Sequence, residues 1–176
     1  MTTSPNGPGY PDSYYVATAK GMFERPTLDS EIAADVCVIG GGFTGVSAAL
    51  NLAEQGMDVV LLEAERIGFG ASGRCGGTIG SGQRKDVLEI EEAFGLERSQ
   101  QLWTFAEQAK QEVRDRVARH DIPCDLQDGQ LIGVHKRGYL GWAQELADAL
   151  TERYAYPFCR ALSAEATREY VATDDF

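Results

Sequence analysis

Three glycines, Gly40, Gly42 and Gly45, follow the apolar run Val36–Ile39 and open a stretch with helical periodicity, residues 43–55. The apolar run predicts a buried strand of a parallel sheet, and the periodic stretch predicts a helix. In this setting the first glycine makes a tight turn, the second lets the main chain approach a pyrophosphate, and the third lets the helix pack closely on the strand. The free N–H groups at the start of such a helix favour bound phosphate. The pattern predicts a dinucleotide-binding site.

The residues after the helix complete this pattern. Gly56 predicts the end of the helix, and residues 58–62 predict a second buried strand that ends at Glu63. Strand, helix and strand in this order predict a right-handed crossover and parallel pairing. A carboxylate at the end of the second strand can accept hydrogen bonds from ribose hydroxyls and repels a 2′-phosphate, which disfavours NADP. The pattern alone leaves FAD and NAD as alternatives.

The remainder of the chain predicts mainly helices. A glycine-rich loop covers residues 68–82, and long helices are expected over residues 97–119 and 139–154. The expected apolar face of the first of these helices consists of Leu102, Phe105, Ala106, Ala109, Val113 and Val117. The pair Asp128-Gly129 predicts a turn before a strand over residues 130–135. Ser163 is expected to cap a short last helix.

The fold class predicted from these elements is α/β. An N-terminal arm is expected over residues 1–30, because residues 1–26 are rich in Pro, Gly, Ser and Thr and show no periodicity. This extended arm is expected to dock through Tyr14 and Tyr15. Residues 31–120 are interpreted as the N-terminal βαβ part of a Rossmann-type dinucleotide-binding domain with a helix-rich continuation, and residues 121–176 as the start of a second domain.

Composition excludes several classes of partner. With 27 acidic and 16 basic residues the formal net charge is -11, which disfavours nucleic acid or an anionic membrane as the main partner. No apolar run has the length of a membrane-spanning helix and the N-terminus lacks a signal-peptide pattern, so a cytoplasmic protein is expected. The four cysteines are scattered, and neither a disulfide framework nor a metal site is expected. They are Cys37, expected to be buried in its strand, and Cys75, Cys124 and Cys159.

The segment after the second strand carries a family resemblance. Residues 63–77, read as Glu-Ala-Glu-Arg-Ile-Gly-Phe-Gly-Ala-Ser-Gly-Arg-Cys-Gly-Gly, resemble the flavoprotein amine oxidases of the D-amino-acid oxidase and glycine oxidase superfamily. Within it they are most similar to the gamma-glutamylputrescine oxidase branch. Residues 13–19, 34–45 and 80–84 resemble the same branch. The likeness is specific from residue 13 to residue 84.

This resemblance implies FAD as the cofactor and a set of binding residues. The pyrophosphate group is assigned to Gly40, Gly42, Phe43 and Thr44, and the adenosine ribose to Glu63 and Ala64; Gly45, the packing glycine, is included among the cofactor-binding residues. The pyrophosphate, ribityl chain and flavin ring are assigned to Ala71, Ser72, Arg74, Gly76 and Gly77. Two residues depart from the branch, since Cys75 stands where Asn is usual and Thr78 where Gln is frequent. Covalent attachment of flavin to Cys75 is a hypothesis that the position of the loop argues against.

The resemblance also implies a reaction. It is the oxidation of the C–N bond of a small amine or amino acid, with hydride transfer to flavin and reoxidation by O2 to give H2O2. The catalytic residues stay unknown, because His120 and His135 lack neighbouring catalytic partners in the sequence. The acidic residues Glu89, Glu91 and Glu92 are interpreted as a solvated helix face.

The number of predicted strands limits this interpretation. A dinucleotide-binding sheet needs more than two parallel strands to be covered on both faces. The chain is therefore interpreted as the N-terminal portion of a flavoprotein, with residues 31–120 as part of its FAD-binding domain and residues 121–176 as the start of an incomplete substrate domain. Expressed alone, it is expected to be unstable and to bind FAD weakly or not at all, because two strands leave exposed edges. Two alternatives stay open: an NAD-linked dehydrogenase, and a non-catalytic dinucleotide-binding remnant.

Overall fold

The chain forms two short strands and six α-helices in a computed structural model that describes residues 10, 12–21, 25–134 and 136–172. The strands are β1 (Val36–Ile39) and β2 (Val59–Leu62), and the helices are α1 (Tyr14–Thr18), α2 (Phe43–Glu54), α3 (Val87–Phe94), α4 (Leu96–Arg119), α5 (Leu140–Tyr154) and α6 (Ala164–Thr167). These elements belong to two compact units, Met1–Thr78 and Ile79–Phe176. The predicted domain limits at residues 30 and 120 stay predictions.

The strands of the first unit pair in parallel, which confirms the predicted strand–helix–strand arrangement. Val36 lies opposite Val59 and Ile39 lies opposite Leu62, without a bulge between them. Helix α2 packs against both strands and is followed by Gly56 at φ +85, the conformation expected of a glycine at a helix end. The parallel pairing places the ends of β1 and β2 at the same edge of the sheet, where the glycine turn and the loop after β2 begin.

The sheet is only partly buried. Val36 and Val38 are half-buried, whereas Cys37 is exposed and Ile39 is 85% exposed. The prediction that Cys37 is buried in its strand is therefore wrong. Alternate side chains of a strand point to opposite faces of the sheet, and in the described residues α2 is the element that packs on this sheet. A parallel strand requires cover on both faces to be buried throughout.

The second unit is built from α3, α4 and α5. Its core consists of Val87, Trp103, Leu150 and Tyr154, and the rings of Trp103 and Tyr154 meet edge to face with their centroids 5.6 Å apart. The predicted helices over residues 97–119 and 139–154 are confirmed by α4 and α5, and the predicted cap of α6 by the Ser163 hydroxyl, which accepts from the Ala166 N–H. Helix α3 carries Glu89, Glu91 and Glu92, which the sequence analysis placed on a helix without giving its bounds.

The core-facing side of α4 differs from the predicted apolar face. Ser99 and Trp103 are buried, whereas Phe105 is 66% exposed and Val113 is 41% exposed. Both α3 and α5 pack on the side that carries Trp103, so the partner helices decide which side of α4 is covered. Part of the predicted face lines an open groove of about 320 Å³ with the segment before α3; the lining residues include Phe105, Ala106, Ala109 and Val113 of α4 and Ile79, Gly80, Gly82 and Gln83.

One of the acidic residues interpreted as a solvated face is in fact engaged in the core. Glu91 hydrogen-bonds the Tyr154 hydroxyl at 2.7 Å and pairs with the Arg153 guanidinium, and its side chain is only 13% exposed. Glu89 and Glu92 are exposed, as predicted. The tertiary contact with α5 provides Glu91 with a cation and a phenol, which a helical pattern alone cannot indicate.

Two further predictions of local structure are wrong. Residues 130–134 form no strand, because the only paired strands in the described part of the chain are β1 and β2 and an extended segment needs a hydrogen-bonded neighbour. His135, which ends that predicted strand, lies outside the described residues. The N-terminal arm is also not extended throughout, since Ser13 caps α1 by accepting from the Val16 N–H.

The residue that helix α1 buries is Val16 and neither of the two predicted tyrosines, although the Tyr15 hydroxyl approaches Gly76. Val16 is buried, whereas Tyr14 is 75% exposed and Tyr15 is 43% exposed.

No helix in the described residues is long and apolar enough to cross a membrane.

Candidate dinucleotide-binding site

The site begins at the turn between β1 and α2. The Gly40 N–H donates to the Leu62 carbonyl at 2.7 Å, so the strand pairing continues into the turn. Gly40 then takes φ +102, a left-handed conformation that a residue with a side chain rarely adopts. This turn directs the chain from the sheet into α2, whose N-cap residue is Gly42.

The helix packs closely against the turn. A Cβ atom on Gly45 would lie 1.8 Å from the Gly40 carbonyl oxygen and 3.4 Å from a methyl group of Val38. A main-chain oxygen cannot move away as the end of a side chain can, so residue 45 is restricted to glycine. The structure therefore confirms the predicted close packing of α2 on β1 at Gly45.

The start of α2 presents main-chain donors. The Phe43 N–H donates to the Ser72 hydroxyl at 3.0 Å, whereas the N–H groups of Thr44 and Gly45 have no acceptor among the described residues. The N-cap residue Gly42 has no side chain that could accept from them. Phe43 and Thr44 are exposed. Unpaired N–H groups and the positive end of the helix dipole make this terminus suited to an anion.

Glu63 follows β2 and lies beside the turn. Its Oε2 atom accepts from the Gly41 N–H at 2.6 Å and its Oε1 atom accepts from the Glu65 N–H at 3.1 Å. These two main-chain donors, that of Gly41 first, lower the pKa of Glu63 below its usual value. The side chain is therefore held as a carboxylate. Each oxygen keeps a second lone pair for an outside donor such as a ribose hydroxyl.

The loop after Glu63 brings Ser72 to the helix terminus. The loop includes a 3-10 turn, Ala71–Arg74, and the Ser72 hydroxyl lies 3.0 Å from the position that a Cβ on Gly42 would take. The O–H of Ser72 is available as a donor, because its oxygen accepts from Phe43. Of the predicted site residues, the structure brings together at this terminus Gly40, Gly42, Phe43, Thr44, Gly45, Glu63 and Ser72.

The other predicted site residues lie along the same loop without direct contacts to the helix terminus. The Arg74 guanidinium stays close to its own loop, 3.4 Å from the Phe69 carbonyl oxygen and 5.9 Å from the centre of the Phe69 ring. Gly77 takes φ +74. Exposed positions are also occupied by Ala64, Ala71, Gly76 and Cys75, whose thiol is free. In the described residues no group of acidic, cysteine or histidine side chains is arranged to hold a metal ion.

Sequence reasoning missed three residues that fix this geometry. Gly41 is buried, and its carbonyl accepts from the Gly68 N–H at 2.9 Å. Gly73 packs on the same segment, since a Cβ there would lie 2.1 Å from the Gly68 carbonyl oxygen. The spacing of glycines in residues 66–77 was the available signal, because glycines at fixed positions in a loop often mark close approach of main chains.

The donors and acceptors at this terminus fit a dinucleotide. The free N–H groups of Thr44 and Gly45 suit a pyrophosphate, the Glu63 carboxylate suits a ribose, and the absence of a side chain at Gly42 leaves space for the main chain to approach the ligand. These features, with the parallel β1–α2–β2 arrangement, define the class of the protein: it contains a Rossmann-type dinucleotide-binding unit.

Comparison with known proteins identifies the family. The chain belongs to the FAD dependent oxidoreductase family DAO, whose model matches residues 35–176. The family is FAD dependent, which decides between the FAD and NAD alternatives in favour of FAD. The matched residues include the whole glycine turn, Glu63 and the loop that carries Ser72.

Two relatives illustrate the similarity. The chain is 40% identical over 164 residues to the gamma-glutamylputrescine oxidoreductase of Escherichia coli (strain K12), and 42% identical over 164 residues to a protein of Rhizobium meliloti (strain 1021) named "Probable oxidoreductase OrdL". Each alignment covers 93% of this chain and 38% of the relative, so the chain spans well under half the length of these proteins. No solved structure matches the chain.

Proposed function

We propose that this chain forms the cofactor-binding portion of an oxidoreductase that oxidises the C–N bond of a small amine or amino acid. Family membership supports the oxidoreductase class and FAD. The amine substrate class is supported by the similarity to a protein named gamma-glutamylputrescine oxidoreductase. When bound, FAD supplies the acceptor for the substrate hydride and returns its electrons to O2 with formation of H2O2.

The observation that carries the proposal is the exposed start of α2. The N–H groups of Thr44 and Gly45 have no acceptor in the described residues, and the Ser72 hydroxyl lies beside them with its proton available. These three donors would hold the FAD pyrophosphate. They act through charge-assisted hydrogen bonds, which are stronger than neutral ones. The helix dipole adds a favourable potential at the same place.

The carboxylate at the end of β2 gives the site its preference among dinucleotides. Glu63 is held in place by the N–H groups of Gly41 and Glu65, so it does not need to reorganise when a ribose binds. It would accept from the ribose hydroxyls, next to Ala64. A 2′-phosphate at the same position would meet a fixed negative charge, which selects against NADP.

The rest of the loop would lie along the cofactor. Ala71, Gly76 and Gly77 are small and exposed, so the ribityl chain and the flavin ring could lie against their main chain. Arg74 would have to leave Phe69 to reach a phosphate oxygen. Its present hydrogen bond is long at 3.4 Å, so the rearrangement costs little. Residues 121–176 are proposed as the beginning of the substrate domain.

The test uses the complete gene product that carries this sequence. The purified protein is expected to contain FAD, identified by its absorption bands and by its mass after release, and to form H2O2 when supplied with small amines or amino acids in air. Anaerobic addition of the substrate should bleach the flavin bands. A protein that retains NAD instead, or that shows no flavin after incubation with FAD, would contradict the proposal.

Ser72→Ala tests the phosphate subsite directly. Loss of a hydrogen bond to a charged group costs roughly 1.5–3 kcal/mol, so FAD affinity of the apoprotein should fall about tenfold or more. Ser30→Ala, an exposed serine in the same unit, is the matched control and should leave the affinity unchanged. Equal FAD affinity in the Ser72→Ala protein, measured by quenching of flavin fluorescence, would remove Ser72 from the site.

A further inference from the structure

The N-terminal arm contacts the loop that carries Ser72. The Tyr10 hydroxyl donates to the Ile67 carbonyl at 2.8 Å. Helix α1 packs against the 3-10 turn Ala71–Arg74, with Val16 buried. The Tyr15 hydroxyl lies 3.7 Å from the position that a Cβ on Gly76 would take. The arm therefore meets the loop just before its 3-10 turn, at this turn and just after it.

One peptide group links the arm to the glycine turn. The carbonyl of the Ile67–Gly68 peptide accepts from Tyr10, and the N–H of the same peptide donates to the Gly41 carbonyl at 2.9 Å. Hydrogen bonds at both ends of one planar peptide fix its position and polarise one another. Gly41 itself donates to Glu63 at 2.6 Å. A continuous series of hydrogen bonds thus runs from Tyr10 to the carboxylate beside α2.

We propose that the N-terminal arm is a positioning element of the cofactor site, with Tyr10 as its main positioning residue. Tyr10 does not touch the ligand. It holds the Ile67–Gly68 peptide against Gly41, which places the loop so that Ser72 reaches the start of α2. The inference rests on the proposed function, because the site that the arm positions is the proposed FAD site.

The proposal explains a sequence feature that the cofactor motif does not include. The loop is rich in glycine and has few side chains of its own with which to pack. A loop of this kind loses much conformational entropy when it orders around a ligand. Contacts from the arm order it before binding, so less of the binding energy is spent on ordering. Phe43 and Thr44 are exposed with these contacts in place, so the described part of the arm leaves the start of α2 open.

Tyr10→Phe in the complete protein tests the inference. The substitution keeps the ring and removes the hydroxyl, and FAD affinity of the apoprotein is expected to fall by about two- to tenfold, the usual effect of one neutral hydrogen bond. Hydrogen exchange of the Gly68 amide should become faster in the apoprotein. The turnover number at saturating FAD should be unchanged, because Tyr10 is not part of the reacting site. Tyr14→Phe is the matched control, since it removes a hydroxyl from an exposed tyrosine of the same arm.

The possible results separate this inference from the proposed function. Weaker FAD binding and faster Gly68 exchange in Tyr10→Phe, with both unchanged in Tyr14→Phe, support the positioning role. Unchanged affinity and exchange in Tyr10→Phe overturn it while the proposed function stands. A similar loss in both variants, or a lower melting temperature of the apoprotein with no change in Gly68 exchange, indicates a general structural role and also overturns it. A native protein that binds no FAD overturns the proposed function and this inference together.

Discussion

Replacing Gly45 by alanine should damage both the fold of the first unit and its cofactor site. The added Cβ would lie 1.8 Å from the Gly40 carbonyl oxygen, whereas such contacts do not fall below 3.0 Å. Helix α2 would have to move by about 1.2 Å, and overpacking of this kind costs about 1–3 kcal/mol. The shift also moves the N–H groups of Thr44 and Gly45 away from the phosphate position. We expect FAD affinity to fall by about tenfold or more, since each 1.4 kcal/mol is about a factor of ten.

The assay combines two measurements on the complete protein. Chemical denaturation followed by circular dichroism gives the free energy of unfolding, and titration of the apoprotein with FAD gives the dissociation constant. Gly141→Ala is the control, because a Cβ at this position in α5 meets nothing within 4 Å. The same chemical change should there be neutral, or stabilising by up to about 1 kcal/mol, since alanine favours a helix over glycine.

A Gly45→Ala protein with native stability and native FAD affinity would refute the reasoning. It would mean that α2 can leave the turn at little cost, and that the close contact between Gly45 and Gly40 does not set the position of the phosphate donors. Lower stability with unchanged affinity would retain the packing argument and reject its link to the cofactor.

Two further predictions concern ionisable groups. Glu63→Gln should make stability less dependent on pH on the acid side. The lowered pKa of Glu63, due first to the Gly41 N–H, stabilises the fold above about pH 4.5, and this stabilisation is lost as pH falls through the lowered pKa. Melting temperatures of variant and native protein that fall in parallel between about pH 6 and 3 would contradict this prediction. Tyr154→Phe should destabilise the second unit by about 1–3 kcal/mol, because the hydroxyl is buried against Glu91 and Ser99. Burial raises the pKa of Tyr154 to about 12, so stability should also fall from about pH 10 upward, and absorbance titration should show one late tyrosine in the native protein that is absent from the variant.

Local patterns determined much of the first unit. The glycine spacing, the apolar runs and Gly56 predicted β1, α2 and β2 and their parallel pairing, because a buried strand, a helix and their turns each depend on residues that are close in sequence. Residues 63–77 directed the ligand assignment to FAD through resemblance, which the family match then confirmed. The lengths of α4 and α5 also followed from periodicity and end signals.

Only the tertiary structure decided which surfaces of these elements are covered and which groups meet. Cys37 is exposed and Glu91 is held in the core, both against prediction, because burial depends on what packs on an element and not on its own periodicity. In the same way, the sequence indicated Gly40, Gly42, Gly45 and Glu63 as site residues. The hydrogen bonds of Gly41 with Glu63 and with Gly68 join segments that are far apart in the chain, so they depend on the tertiary structure. The dinucleotide unit was thus specified locally, whereas the position of the loop beside its helix terminus depends on hydrogen bonds between segments that only folding brings together.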